Sequence, residues 1–485
     1  MLLRKTKIVA IALGVWCMVQ LSCTRKWDDH NKPNDNELTQ NLYTTIAGDE
    51  SLSKFTSYLE KTGYADTLQL NNAFTVWAPT NEALQSIDAT LSNNADLLKK
   101  FVAHHIARLS YYTSQAQAAP VRLSLLDGKY GIFKQTSFED APINNNDQLA
   151  ANGVLHTITG AAAPLVNCWE YIDALKALNN NMASYLKSLT YISKDTSRAV
   201  QTGIDPRTGE PMYDPNTLNV TRNTFLDTTY DISNEAKEYT VFLMDNATWE
   251  KERAKLDTFY KTGSADTTLM RSQLSTAKDM VIEGAYAPDQ LPDSVQSRWG
   301  VWFQVNRSGI QSVYRTSNGY VYVMKALDVK LRQRFKPYII QGELWSGTSN
   351  NSSSPIYVRT LINPISGQAF KDLYAYSHGA AKWHVRYRIR NVPTTTYKVY
   401  WTTYNNRWNN TLNQRLAIGN PDNGTYRNVP YNLYNEEYQG DYKVDTYGNG
   451  ILDLYLVSAN LAPSSSNMNQ TALFLDYIRL EPVIQ

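Results

Sequence analysis

Two aromatic side chains lie in a strongly polar segment, residues 404–410 (YNNRWNN), and this combination suits sugar binding. Tyrosine and tryptophan present a flat apolar face beside a polar group, while asparagine and arginine can hydrogen-bond to ring hydroxyls. We therefore expect a glycan-binding loop, with an ordinary exposed hairpin loop as the alternative. The candidate glycan-binding residues are Trp345, Tyr404, Asn406, Arg407, Trp408 and Tyr426.

Paired carboxylates would favour a different chemistry, glycoside hydrolysis by two acidic side chains. The carboxylates considered for this role are Asp441, Asp445, Asp453 and Asp476. The sequence contains no Gly-x-Ser-x-Gly nucleophile motif, no His-Glu-x-x-His zinc motif and no phosphate-binding loop. A glycoside hydrolase or other polysaccharide-active enzyme therefore stays an alternative to a non-enzymatic binding protein.

His104 and His105 are adjacent in an apolar stretch with helical spacing. Neighbouring side chains on a helix point about 100° apart, so two such rings do not easily face one metal ion. Both histidines are predicted to be structural, and no metal site is predicted from them.

Two motifs recur in the same order and at nearly the same spacing, which predicts two copies of one domain. Residues 74–84 (FTVWAPTNEAL) correspond to residues 239–249 (YTVFLMDNATW), each an alternating strand followed by a helix start. Residues 152–159 (NGVLHTIT) correspond to residues 318–325 (NGYVYVMK), each an Asn-Gly turn before an apolar strand. The motif residues expected to have structural roles are Phe74, Pro79, Thr80, Asn81, Asn152, Gly153, His156, Asp245, Asn318 and Gly319.

The first motif has a simple physical interpretation. Alternation places Phe74 and Val76 on the same side of the strand. Pro79 cannot extend a strand ladder, so the strand should end there. Thr80, and Asp245 in the second copy, are placed to cap the helices that follow.

The first pair of motifs resembles the two signatures of fasciclin (FAS1) domains, and the second pair resembles them more loosely. The resemblance implies fasciclin-like α/β domains at residues 41–167 and 168–337, the second divergent and carrying an insertion at residues 191–238. It also implies cell-surface adhesion, or contact with matrix and glycans, without catalysis. The second copy departs from the family pattern at Met244 and Tyr322.

From residue 338 the pattern changes to short alternating strands separated by turn residues, which is typical of an all-β sandwich. Residues 391–399 (NVPTTTYKV) and 475–480 (LDYIRL) resemble the galactose-binding-like jelly rolls of carbohydrate-binding modules. The resemblance implies a sandwich at residues 338–485 that binds sugar at its loop ends, sometimes with a structural calcium ion. The predicted fold class is thus α+β and β, with two tandem fasciclin-like α/β domains followed by an all-β jelly-roll sandwich.

The amino-terminal segment is predicted to direct export and lipidation. Residues 1–22 combine a basic start with an apolar core too short to span a bilayer comfortably, as in a signal peptide. They lead into Cys23 through a sequence (QLSC) that resembles a bacterial lipobox, in which the cysteine carries the lipid anchor. Residues 23–40 form a polar, lipidated linker similar at its start to the export tag of Bacteroidota surface lipoproteins. The expected location is the outer membrane, lipid-anchored at the cell surface.

The composition agrees with an exported, folded protein that has no strongly charged partner. Of 485 residues 42% are hydrophobic, enough for several cores, and the net charge is only +2. No basic stripe with interleaved aromatic residues stands out, so nucleic acid is not an expected partner. The 33 tyrosines, against 12 phenylalanines, suit wet interfaces and sugar contacts.

These patterns together favour a non-enzymatic, lipid-anchored surface protein that binds a glycan or a protein partner. We expect it to be accessory to an outer-membrane uptake complex of the SusC/SusD-like kind. The third alternative, beside an enzyme, is a purely structural scaffold lipoprotein whose repeated domains dock to a neighbour.

Overall fold

The computed structural model describes residues 39–349, 356–376, 378, 380–410, 412–461 and 470–484. The predicted signal segment and Cys23 lie outside the described residues. The chain forms two compact units, the first comprising residues up to 167 with the short segments 234–236 and 316–318, and the second comprising the rest. No helix in the described part of the chain is long and apolar enough to cross a membrane.

The first unit packs helices against one mixed sheet. Its helices are α1 (Leu42–Ala47), α2 (Ser53–Thr62), α3 (Tyr64–Thr67), α4 (Asp88–Ser92) and α5 (Ala95–His104). Its strands are β1 (Phe74–Pro79), β2 (Ile106–Arg108), β3 (Val121–Ser124), β4 (Tyr130–Lys134), β5 (Ser137–Phe138), β6 (Ala141–Ala150) and β7 (Gly153–Ile158). The strand order is β2-β1-β7-β6-β5-β4-β3, and β1 runs parallel to β7.

Both faces of strand β1 are covered by hydrophobic clusters. Phe74 and Val76 belong to one hydrophobic cluster and Trp77 to another, as the alternation predicts. Pro79 is the last residue of the strand and pairs with Ile158. All six side chains of β1 are buried, so this strand is the structural core of the unit.

Thr80 makes the predicted capping bond, because its Oγ1 accepts from the Ala83 amide (3.2 Å), but no regular helix follows it directly. Residues 81–87 form turns, and α4 begins only at Asp88. The side chain of Asn81 ties this turn segment to the residues at and before the start of α2, because its Oδ1 accepts a hydrogen bond from the Lys54 amide (2.8 Å) and its Nδ2 donates to the Glu50 carbonyl (2.9 Å).

His105 follows α5 and is fully buried. Its Nδ1–H donates to the Phe101 carbonyl (2.7 Å), while the Nδ1–H of the neighbouring His104 donates to Asp127 (2.7 Å). The two imidazole rings are 6.3 Å apart and nearly perpendicular, so they face different partners. Burial lowers the pKa of His105 to about 3.

We expect this buried imidazole to make the protein acid-sensitive. His105 stays neutral when folded and becomes charged when unfolded below about pH 6.5, so the free energy of unfolding should fall as the pH drops from 6.5 toward 3. His105→Gln should remove about 2 kcal/mol of the difference in stability between pH 7 and pH 4.5. Denaturant unfolding at both pH values measures this, with the half-buried His384→Gln as control. An unchanged pH dependence in His105→Gln would contradict the prediction.

The second unit begins with a helical and mixed region. Its helices are α6 (Cys168–Ala177), α7 (Asn181–Ser188), α8 (Pro215–Leu218), α9 (Thr224–Thr228), α10 (Asn246–Asp257), α11 (Ala265–Ala277) and α12 (Leu331–Arg334). The strands of this region are β8 (Thr190–Lys194), β9 (Gln201–Ile204), β10 (Pro211–Tyr213), β11 (Asn219–Asn223), β12 (Tyr239–Met244), β13 (Val281–Glu283), β14 (Ser294–Gln296), β15 (Trp302–Gln304), β16 (Ile310–Thr316) and β17 (Gly319–Met324). The predicted insertion contains the short antiparallel pairs β8–β11 and β9–β10.

Strand β12 pairs with β17 as β1 pairs with β7. Both pairs are parallel over six residues, and their registers start at Phe74 opposite Gly153 and at Tyr239 opposite Gly319. Asp245 caps α10 by accepting a hydrogen bond from the Thr248 amide (2.8 Å). The segments predicted to correspond therefore occupy the same position in two sheets.

The side-chain contacts of the two regions also correspond. Thr75 Oγ1 donates to the Leu109 carbonyl (2.8 Å), and Thr240 Oγ1 donates to the Gly284 carbonyl (2.7 Å). Asn246, the counterpart of Asn81, ties α10 to α7 by accepting from the Asn181 amide (2.8 Å). In both regions, side chains at corresponding positions thus satisfy backbone carbonyl or amide groups.

His156 and Tyr322, where the motifs differ, make the same contact by different chemistry. His156 Nε2–H donates to the Tyr111 carbonyl (2.9 Å), and the Tyr322 hydroxyl donates to the Tyr286 carbonyl (2.7 Å). Each ring stacks on an aromatic residue of the parallel strand, Trp77 or Phe242. The substitution therefore preserves both the stacking and the hydrogen bond.

The carboxy-terminal region is a set of antiparallel sheets. Its strands are β18 (Tyr338–Gln341), β19 (Gly347–Thr348), β20 (Ile356–Ile362), β21 (Ala369–Ala375), β22 (His384–Arg390), β23 (Thr396–Tyr404), β24 (Leu412–Ile418), β25 (Arg427–Val429), β26 (Tyr434–Lys443), β27 (Ile451–Ser458), β28 (Leu473–Leu475) and β29 (Tyr477–Pro482). Among the described residues they form sheets in the orders β18-β29-β23-β26, β19-β22-β27-β24-β25 and β20-β21-β28. One hydrophobic cluster takes buried residues from all three sheets, including Trp401, Tyr387 and Phe474.

Candidate functional site

One face of the β20-β21-β28 sheet carries a row of aromatic rings. Tyr357, Tyr374 and Phe474 are cross-strand neighbours, and Tyr376 follows two residues after Tyr374. The Tyr357 and Tyr376 rings stack at 5.7 Å, and the Tyr374 and Phe474 rings stack at 4.9 Å. Tyr374 is 2% exposed whereas Tyr357 is 44% exposed. The row thus runs from the hydrophobic core to solvent, and we call these four residues the aromatic face.

A buried ion pair adjoins the aromatic face. Arg359 and Asp372 lie directly opposite each other on β20 and β21, and Arg359 Nε donates to Asp372 Oδ1 (2.9 Å). Asp372 is fully buried, and burial raises the pKa of its carboxyl while the guanidinium of Arg359 opposes that rise. Arg359 also donates to Asn406 Oδ1 (2.8 Å), so it joins the sheet to the loop at residues 404–410.

The loop at residues 404–410 is held in shape by Asn405. This buried side chain donates to the carbonyls of Trp408 (3.0 Å) and Asn410 (3.1 Å) and accepts from the Trp408 amide (3.0 Å). The sequence motif therefore contains an internal structural residue among its exposed polar ones. Such local side-chain to backbone bonds replace a regular ladder and fix a turn.

Arg407 and Trp408 place polar groups beside the aromatic face. Trp408 Nε1 donates to the Tyr374 hydroxyl (3.1 Å), so the indole is oriented by the sheet. The guanidinium of the exposed Arg407 lies 5.3 Å from the centre of the Tyr374 ring and 5.8 Å from that of Trp408. A cation over aromatic rings is held electrostatically while its hydrogen-bond donors stay available to a ligand.

A second aromatic group continues from this loop. Phe370, Tyr404 and Tyr434 form a mutual cluster with ring centres 5.2 to 6.4 Å apart. The Tyr404 hydroxyl donates to Asn432 Oδ1 (3.0 Å). Tyr404 is half-buried, so its ring is fixed by neighbours and only partly open to a ligand.

The structure brings together four of the six predicted glycan-binding residues. Tyr404, Asn406, Arg407 and Trp408 surround Arg359 and Tyr374 through the contacts above. The other two predicted residues have different partners. Trp345 is half-buried and packs on the hydrophobic core. Tyr426 lies apart from this group. Its hydroxyl donates to the Ser458 carbonyl (3.0 Å), and its ring packs against the guanidinium of Arg415.

Sequence reasoning missed Tyr357, Tyr374 and Tyr376, the three tyrosines of the aromatic face. The available signal was tyrosine at alternating positions in residues 372–376 (DLYAY), since residues two apart in a strand share a face. A partner tyrosine on the neighbouring strand becomes visible only once the register of β20 and β21 is known.

The four carboxylates considered for hydrolysis have separate partners. Asp441 accepts from the Tyr438 hydroxyl (2.6 Å), and Asp453 pairs with Arg388 (2.7 Å). Asp445 lies 2.6 Å from the Lys443 ammonium. Asp476 accepts from the Tyr434 hydroxyl (2.5 Å). Each carboxylate is thus held by its own basic or phenolic side chain.

Asp476 and Glu343 are acidic side chains of the carboxy-terminal region that lie close enough to interact electrostatically. Burial, with the negative charges of Asp372 and Glu343, raises the pKa of Asp476 to about 6. A buried oxygen of Glu343, Oε2, has no hydrogen-bond partner among the described residues. Calcium binds about six to eight oxygen ligands, so these two carboxylates do not by themselves form a calcium site. In the described part of the chain, no cluster of three or more His, Cys, Asp or Glu side chains is placed to hold a metal ion.

Comparison with known proteins identifies a Fasciclin domain at residues 50–164. Over 130 residues the chain is 31% identical to transforming growth factor-beta-induced protein ig-h3 of Sus scrofa, covering 25% of this chain and 19% of that protein. It is 28% identical over 172 residues to Protein sll1483 of Synechocystis sp., covering 33% of this chain and 93% of that protein. The chain therefore spans about a fifth of the length of ig-h3 and nearly all of sll1483.

Two solved structures show loose similarity. A FAS1 domain pair from the insect cell adhesion molecule Fasciclin I matches with a TM-score of 0.23 and 14% identity, covering 58% of this chain and 98% of that one. A β-1,3-glucan binding CBM6 from Bacillus halodurans matches with a TM-score of 0.21 and 13% identity, covering 30% of this chain and 95% of that one.

Proposed function

We propose that this chain is a non-enzymatic, lipid-anchored cell-surface protein that binds a glycan through the aromatic face. The observation that carries the proposal is the exposed Tyr357 ring, stacked on Tyr376 and placed in a row of aromatic rings beside the guanidinium of Arg407, which makes no ion pair among the described residues. Sugar rings present C–H faces to aromatic side chains and hydroxyls to charged and amide groups. The aromatic face and its loop offer both kinds of partner in one place.

The architecture we propose has two fasciclin-like copies and a jelly-roll sandwich. The equal registers of the β1–β7 and β12–β17 pairs support a divergent second copy at residues 168–337. The antiparallel sheets around one hydrophobic cluster support a galactose-binding-like sandwich at residues 338–485. The Fasciclin domain at residues 50–164 supports a role in adhesion or binding.

We further propose that Cys23 carries the lipid, that the protein lies at the surface of the outer membrane, and that it assists a SusC/SusD-like uptake complex. The lipobox-like sequence and the polar linker support this placement. Metabolic labelling with a lipid precursor, lost in Cys23→Ala, tests the anchor. Protease treatment of intact cells and pull-down from membranes test exposure and partners. A scaffold role would give a protein partner without glycan binding.

Replacing Tyr357 by alanine should weaken glycan binding about fivefold, since one aromatic contact contributes about 1 kcal/mol. The double variant Tyr357→Ala with Arg407→Ala should weaken it at least tenfold. Electrophoresis of the purified chain through gels that contain xylan, mannan, β-glucan or pectin measures the affinity by retardation.

Tyr438→Ala is the control for this measurement, because Tyr438 is 47% exposed but lies on β26 away from the aromatic face. Glycan binding equal in all variants, or retardation by none of the polysaccharides, would contradict the proposal. Release of new reducing ends from a retained polysaccharide would favour the enzymatic alternative.

A further inference from the structure

An open groove lies in the second unit, within the region we propose as the divergent fasciclin-like copy. The cavity has a volume of about 860 Å³ and is bordered by α10, β15 and the segment after β17. Its lining includes Lys251, Lys325, Trp302, Gln304 and Asn306. This volume lies in the range of small-molecule binding sites, about 300 to 1,000 Å³.

The groove carries uncompensated positive charge. Asp328, the acidic residue of its lining, is engaged by Lys255 (2.7 Å) and Lys330, and these two lysines lower the pKa of its carboxyl to about 2. Lys251 and Lys325 are exposed and have no ion-pair partner among the described residues. Two ammonium groups are therefore available to an anionic ligand.

Strand β15 adds an aromatic platform to the groove. Because side chains alternate along a strand, Phe303 points into the hydrophobic core, whereas Trp302 and Gln304 lie together on the outer face. Trp302 is 45% exposed, an unusual position for so large an apolar ring. An exposed indole ring can stack on the apolar C–H face of a sugar ring, and the neighbouring amide side chains can hydrogen-bond to the sugar hydroxyls.

The first copy shows that the fold itself does not require these lysines. Lys325 follows β17 as Thr159 follows β7, and the equal strand registers make these positions equivalent. By chain position, Ser86 follows Phe74 at the same separation as Lys251 follows Tyr239. Both positive charges are thus particular to the second copy, where they line one groove.

We propose that this groove binds an anionic oligosaccharide whose carboxylates pair with Lys251 and Lys325 while one sugar ring stacks on Trp302. Uronic acid polymers have this chemistry, because each ring carries a carboxylate, hydroxyls and a C–H face. The site is separate from the aromatic face, and either site can bind without the other.

The test is calorimetric titration of the purified chain with a galacturonic acid hexamer and with neutral xylohexaose. We expect binding of the acidic hexamer that weakens with added salt, as charge pairing requires. The variant K251S/K325T, which installs the residues of the first copy, should weaken binding at least tenfold, and Trp302→Ala about fivefold. The variant K176S/K237T removes two exposed lysines elsewhere in the second unit and should bind normally.

Several outcomes would overturn the inference. These are equal binding of the neutral hexamer, unchanged binding by K251S/K325T, an equal loss in K176S/K237T, and equal binding of hexaglutamate, which has the charge without the sugar ring. The variant Y357A/R407A separates this inference from the glycan site proposed on the sandwich. It should leave binding of the acidic hexamer unchanged, and loss of that binding would show that the aromatic face is the binding site.

Discussion

Gly153→Ala should lower the free energy of unfolding of the first unit by about 3 kcal/mol or more. An added Cβ at Gly153 would lie 1.9 Å from the carbonyl oxygen of Phe74, which is backbone and belongs to the central strand β1. Relief of this overlap requires β1 and β7 to separate, with loss of their hydrogen bonds. Thermal unfolding followed by circular dichroism should show a decrease in Tm on the order of 10 °C.

Two further variants make this prediction specific. Gly319→Ala should have an equally large effect on the second unit, where the added Cβ would lie 1.8 Å from the Tyr239 carbonyl oxygen. Gly48→Ala is the control, because there the nearest atom would be 3.4 Å from the new Cβ and the backbone is already helical. An unchanged Tm in Gly153→Ala would show that β1 and β7 do not pair as described.

Arg359→Leu should destabilise the carboxy-terminal region by about 3 to 5 kcal/mol, because it leaves the carboxylate of Asp372 buried without its cation. The same variant should abolish the glycan binding that we propose, since Arg359 also holds Asn406 and the Tyr404 carbonyl. Denaturant unfolding measures the first effect, and gel retardation measures the second.

The double variant R359L/D372L tests the cause of this destabilisation. Removing both charges should recover much of the lost stability, because an apolar pair of similar volume needs no compensation. Glycan binding should stay lost, because Asn406 is no longer held. The control is Arg388→Leu, whose pair with Asp453 is partly exposed and should contribute no more than about 1 kcal/mol. A double variant as unstable as Arg359→Leu would assign the effect to packing and not to charge.

Local patterns were sufficient where one short segment decides the outcome. Alternation placed Phe74 and Val76 on one face of β1, and the side chain of Asp245 marked the start of α10. Both depend on interactions within a few residues of the chain. The corresponding position starts a helix at Asn246 in the second unit but turns at residues 81–87 in the first, so the local pattern alone did not separate the two outcomes.

The candidate site likewise has one part that the sequence predicts and another that it does not. The segment at residues 404–410 was recognisable because its aromatic and polar residues are contiguous, although the internal role of Asn405 was not. The tyrosine row required the register of β20 and β21, and the groove required strands and helices far apart in sequence.

The order of residues alone determined the repeated motifs, the short alternating strands of the last third and the polar aromatic loop, because each is a property of neighbouring side chains. Only the tertiary structure decided which tyrosines share a face, which side chain holds each carboxylate and which lysines have no ion-pair partner among the described residues. Those properties depend on register and burial, and both arise from contacts between segments that the chain brings together only on folding.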